Sequence, residues 1–119
     1  MRLASAILTG LLVTLNMATS TQAVDREGCL FVSNSGPDDL IIELPNDYSG
    51  SWTILPGGGY TYLQHEGWMV KVDASSIVRA HTTRVKWPDE RLGEMTSGVV
   101  YGRTSHCDEH GGYRWWIRY

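Results

Sequence analysis

The last residues of the chain carry its densest chemistry. Tyr113 to Tyr119 read Tyr-Arg-Trp-Trp-Ile-Arg-Tyr. In an extended strand successive side chains alternate between faces, so Tyr113, Trp115, Ile117 and Tyr119 fall on one side and Arg114, Trp116 and Arg118 on the other. The first face suits a core. The second sets an indole between two guanidinium groups, an arrangement fit to stack on a sugar ring, a base or a partner's aromatic side chain. The same arrangement can also close on itself, the arginine stems covering Trp116 with no partner. As a binding surface it makes Trp116, Arg114 and Arg118 candidates. Tyr48 joins them from the aromatic residues scattered near loops, with Trp52, Tyr60 and Trp87.

His106-Cys107-Asp108-Glu109-His110 packs two imidazoles and two carboxylates into five residues. His106, Asp108 and His110 are weak metal-ligand candidates, because the spacing of the two histidines is helical while the segment reads as a loop. A solvated, pH-sensitive patch is the other reading. No metal or other cofactor is expected. Pro56-Gly57-Gly58-Gly59 lacks the Gly-Lys-Ser/Thr that completes a phosphate loop and opens no helix, so it reads as a hairpin connection. His65 beside Glu66, and His81 inside a strand, have no nucleophile or second acid at a telling spacing. A non-enzymatic protein is expected.

These side chains must be positioned by a chain of 119 residues, enough for one domain. Ten Lys+Arg against 13 Asp+Glu give a net charge of -3, without the broad positive field of a nucleic-acid binder. A 42% hydrophobic and 19% charged composition indicates a folded protein and not a disordered one. Met1 and Arg2 precede an apolar stretch from Leu3 to Ala18, and Thr21-Gln22-Ala23 supplies small residues where a signal peptidase reads them. Residues 1–23 are therefore expected to be a signal peptide cleaved after Ala23, and residues 24–119 a single domain. The apolar stretch is shorter than the roughly 20 residues a spanning helix needs. The product is expected to be secreted or periplasmic, with no membrane attachment after cleavage.

All five Trp, all six Tyr and the single Phe lie in residues 24–119. Cys29 and Cys107 are the only cysteines, and in an oxidising compartment two cysteines allow one pairing, so a Cys29–Cys107 disulfide is expected.

Apolar residues recur with a period of two. Strands are predicted at Cys29–Ser33, Leu40–Leu44, Ser51–Leu55, Tyr60–Gln64, Trp68–Asp73, Ile77–Trp87, Ser97–Arg103 and Gly112–Arg118, with a helical turn or loop at Asp89–Thr96. The last two strands form a hairpin around residues 104 to 111. About eight short strands separated by turn signals indicate a small antiparallel β-sandwich, with a small β-barrel as the alternative. Tyr62 and Trp68 are assigned to its core.

The run Phe31-Val32-Ser33-Asn34-Ser35-Gly36 and the later Trp52-Thr53-Ile54-Leu55-Pro56-Gly57 resemble the first third of several secreted sandwiches, thaumatin-like proteins among them. That family is longer and carries many cysteines, so no residue roles are transferred from it. Two functions fit the pattern. One is a binding protein that recognises a glycan or cell-envelope polymer through exposed aromatics. The other is an exported factor, an inhibitor, immunity protein or effector, that docks on one secreted or periplasmic protein, its acidic charge favouring a basic partner. A monomer is expected, or a weak dimer through an exposed final strand.

Overall fold

The computed structural model describes residues 26–95 and 98–119. The expected signal peptide, residues 1–23, and Ser97 at the predicted start of a strand lie outside the described residues. Among the described residues ten strands form: β1 (Cys29–Asn34), β2 (Leu40–Glu43), β3 (Trp52–Ile54), β4 (Gly59–Tyr62), β5 (Gln64–His65), β6 (Trp68–Met69), β7 (Ile77–His81), β8 (Glu90–Arg91), β9 (Val99–Arg103) and β10 (Tyr113–Arg118). Two short 3-10 turns, Leu92–Glu94 and Ser105–His110, complete the elements.

Eight strands make two four-stranded sheets, ordered β4-β1-β10-β9 and β3-β2-β7-β8, while β5 and β6 form a separate hairpin. The fold is therefore a sandwich-like pair of sheets and not one closed barrel. Its pairings are antiparallel except at the centre of the first sheet, where β1 and β10 run parallel with Phe31 opposite Trp116 and Val32 opposite Ile117. Residues from opposite ends of the domain thus lie side by side.

Alternation decides what faces inwards. Leu30 and Val32 from β1 and Trp115 and Ile117 from β10 meet Leu40, Ile42, Ile54, Val78 and Ala80 of the other sheet, and all belong to one buried cluster. Asn34 is buried with them and keeps its amide satisfied: Nδ2 donates to the carbonyls of Asp38 (2.8 Å) and Ile54 (3.1 Å), and Oδ1 accepts from the Gly36 N–H. One side chain therefore shapes the turn after β1 and ties it to β3.

Cys29 and Cys107 are disulfide-bonded, with Cα atoms 5.8 Å apart and 78 residues of sequence separation. The bond docks the Ser105–His110 turn beside the start of β1.

Two predicted strands differ in form, and the core assignment of Trp68 does not hold. Ile77–Trp87 is not one strand: Thr82 turns the chain, its Oγ1 accepting from the N–H groups of Arg84 and Val85, and Trp87 returns to hydrogen-bond Ala80. Trp68–Asp73 is a strand only at Trp68–Met69, with Val72 making a separate antiparallel bridge to Gly28, and Val70 and Val72 are buried as alternation requires. Trp68, assigned to the core from sequence, is 68% exposed. It closes a two-residue hairpin whose central residues, Glu66 (φ 52°) and Gly67 (φ 85°), are both left-handed, the conformation of the tight turns that match strand twist. That turn lifts Trp68 off the sheets.

Candidate functional site

The outer face of the first sheet is the candidate site. Leu30, Val32 and Asn34 point inwards from β1, so Phe31 and Ser33 point out. Leu63, next to β4, fills the interior, and its alternation sends Tyr60 and Tyr62 outwards. Tyr62 is thus half-buried on the outer face and not in the core as expected, because Leu63 takes the inward position. On β10, Trp115 and Ile117 claim the interior and leave Arg114, Trp116 and Arg118 outside.

Strand register aligns these residues in a row. Tyr62 lies opposite Phe31, Phe31 opposite Trp116, and Trp116 opposite Val100. The Phe31 ring centroid is 4.5 Å from Tyr62, 5.6 Å from Tyr60 and 5.6 Å from Trp116. Tyr60 is 70% exposed and leaves most of its ring to solvent.

Arginine frames the rings. The guanidinium carbon of Arg114 lies 5.3 Å from the Trp116 centroid and 5.1 Å from that of Phe31, and Arg118 lies 5.2 Å from Trp116. Arg114 also donates a short hydrogen bond to the Tyr62 hydroxyl. Trp116 Nε1–H donates to Ser33 Oγ at 3.0 Å, which fixes the indole. Both arginines contact Trp116, so that ring is held by its neighbours, and Tyr60 offers the freer stacking surface.

The Ser105–His110 turn borders this face. His106 stacks on Tyr62 at 4.9 Å with the planes 20° apart, and its Nδ1 lies 3.3 Å from Thr104 Oγ1 and 3.4 Å from the Tyr62 hydroxyl. His110 Nε2 instead meets the Met69 carbonyl at 2.8 Å, and Glu109 accepts the Met69 N–H at 2.9 Å. Of the weak ligand candidates His106, Asp108 and His110, the two histidines are thus engaged in different places. Among the described residues no group of three or more His, Cys, Asp or Glu side chains is placed to hold a metal ion.

Comparison with family models, curated proteins and solved structures finds no match for this chain.

Tyr48 belongs to a different cluster. Its hydroxyl accepts the Lys71 N–H at 2.8 Å, and its ring meets Trp52 edge-on at 6.2 Å and His65 at 5.2 Å. It anchors a loop there, beside the hairpin that raises Trp68, and its ring contacts are not with the Trp116 group.

Apart from this face, a concavity of about 470 Å³ has Leu40, Trp87, Met95, Ile117 and Tyr119 in its lining and the Arg84–Asp38 ion pair beside them. Burial, with the negative charge of Glu90 adding to it, pushes the Tyr119 phenol up to about 12. Sequence reasoning placed Tyr119 in the core but had no signal for the cavity, whose walls come from segments between Asn34 and Tyr119. Among the described residues no helix is long and apolar enough to cross a membrane.

Proposed function

We propose that this chain is a non-catalytic binding protein that holds a glycan or cell-envelope polymer on the outer face of the β4-β1-β10-β9 sheet. The observation that carries this reading is the row of Tyr62, Phe31 and Trp116 across three paired strands, extended by the exposed Tyr60. Sugar rings present flat C–H faces that dock on aromatic rings, while the hydroxyls at their edges take hydrogen bonds from groups such as guanidinium. Rings on paired strands of a sheet are held in place before a ligand arrives, so little ordering cost remains for binding. The disulfide supports an oxidising compartment, secreted or periplasmic, where such polymers are found.

A retention assay on insoluble chitin, cellulose, peptidoglycan and immobilised polygalacturonate tests the reading, with Tyr60→Ala and Trp116→Ala alongside. Retention on at least one polymer, lost in Tyr60→Ala while the fold stays intact, is the expected result. Absence of retention on all four overturns it.

Trp68 favours a second reading, docking on a single protein target as an inhibitor, immunity protein or effector. An indole 68% exposed on a tight hairpin has the character of an interface anchor. In that case Trp68→Ala removes capture of the partner and Tyr60→Ala leaves it unchanged.

A further inference from the structure

We infer that the ligand of the outer-sheet face is an acidic glycan, whose sugar rings lie on Tyr60 and Phe31 while its anionic groups pair with Arg118 and Arg114. This rests on the proposed glycan reading and narrows it to a substrate class.

Several positive charges of this chain are paired with carboxylates. Arg79 pairs with Asp89 and Glu43, Arg84 with Asp38, Arg91 with Glu94, and Lys71 with Glu27. Arg103, Arg114 and Arg118 differ: among the described residues no carboxylate forms an ion pair with any of the three, in a chain where acidic residues outnumber basic ones, and Lys86 acts on Asp89 only without a direct ion pair. Arg103 rests on Tyr113, whereas Arg114 and Arg118 stand together on the aromatic face beside Trp116. Their contacts are with aromatic rings and, for Arg114, the Tyr62 hydroxyl.

A guanidinium resting on a ring uses its face and leaves the N–H donors at its edge. Arginine has five such donors. Arg114 spends one on Tyr62. The rest of its set, and that of the exposed Arg118, can form the forked pair of bonds that matches a carboxylate or sulfate.

Spacing then selects a polymer. Arg114 and Arg118 stand four residues apart on one strand and flank Trp116, their guanidinium carbons 5.3 Å and 5.2 Å from its ring centroid, so the two charges are separated by no more than the sum of those distances with the indole between them. Anionic groups carried on successive rings of a chain suit two charges set around an aromatic ring better than one small anion does. A chain that repeats ring and charge can meet both arginines and the rings beside them. The local charge of this face is opposite to the net charge of the protein, so the net acidity that suggested a basic partner does not describe it.

The test uses the full oxidised domain and measures binding to four soluble probes: polygalacturonate, its fully methyl-esterified form, dextran sulfate and dextran. Binding to polygalacturonate or dextran sulfate, at least about tenfold tighter than to the uncharged counterpart, is expected from charge-assisted hydrogen bonds. The better of the two charged probes identifies carboxylate or sulfate as the preferred group. Arg118→Gln, an exposed and structurally tolerant change, lowers that affinity by about tenfold, and added salt lowers it further. Equal binding of charged and uncharged probes overturns the charge inference and leaves the glycan reading standing. No binding to any probe, together with no retention on any insoluble polymer, overturns both. Inorganic polyphosphate supplies charge without sugar rings: if it binds as tightly as the best probe, or if Tyr60→Ala binds undiminished, the ring-and-charge mode is wrong.

Discussion

His106 stacks on Tyr62 with ring centroids 4.9 Å apart, and the turn that carries His106 is bonded through Cys107 to Cys29 at the start of β1. The disulfide therefore has two effects. It closes a loop with a sequence separation of 78, and it holds one border of the aromatic face in place.

Reduction, or Cys107→Ser, is expected to lower unfolding stability by roughly 4 kcal/mol on the chain-entropy model. Denaturant unfolding with and without reductant measures this. Where the reduced protein still folds, it also loses affinity for the ligand of the face, because the turn under Tyr62 is freed. Undiminished affinity would show that the turn takes no part in positioning Tyr62.

Trp116 and Tyr60 share a face but differ in what they support. Trp116 is half-buried, contacts Arg114, Arg118 and Phe31, and bonds Ser33, so Trp116→Ala should cost about 2 to 3 kcal/mol in urea unfolding. Tyr60 is 70% exposed, and Tyr60→Ala should fall within about 0.5 kcal/mol of the parent. A loss of binding in Tyr60→Ala is thus a loss at the site. A comparable stability loss in both variants would mean that Tyr60 is packed in solution.

Asn34 makes a sharper stability prediction. Its side chain satisfies two carbonyls and one N–H at a buried corner, and Asn34→Ala leaves those groups without a partner. A loss of about 1 to 3 kcal/mol is expected. Asn34→Asp should be at least as damaging, since it replaces a double donor with a charge facing two carbonyl oxygens. An Asp variant as stable as the parent would contradict the hydrogen-bond assignment.

Much of this was legible from local pattern. Alternation along Tyr113–Arg118 correctly separates Trp115 and Ile117 from Arg114, Trp116 and Arg118, because a strand has only two faces and the other sheet covers one. The cysteine pairing followed from there being two. What the sequence could not show is adjacency. Phe31 and Trp116 become neighbours through parallel pairing of β1 with β10, which no turn signal announces because the two strands are distant in sequence. Tyr62 and Trp68 were misassigned for a related reason: large aromatics look like core residues until it is known that Leu63 takes the inward position and that Glu66-Gly67 turns Trp68 away.

Tyr119 supplies a pH dependence with a definite sign. Its phenol is held up to about 12, against an ordinary value of 10.0, chiefly by burial. Between those values the unfolded chain releases a proton that the folded chain keeps. The folded state then binds more protons, so stability falls as pH rises through this window and is unaffected by this group below it. Allowing for partial exposure, the loss is on the order of 2 kcal/mol across the window. Tyr101, also raised by burial, contributes in the same direction. Urea unfolding at a series of alkaline pH values, with Tyr119→Phe beside the parent, isolates the effect: the variant lacks the titrating hydroxyl and should show a shallower decline. An unchanged slope would assign the alkaline loss to other groups and place the Tyr119 hydroxyl in contact with water.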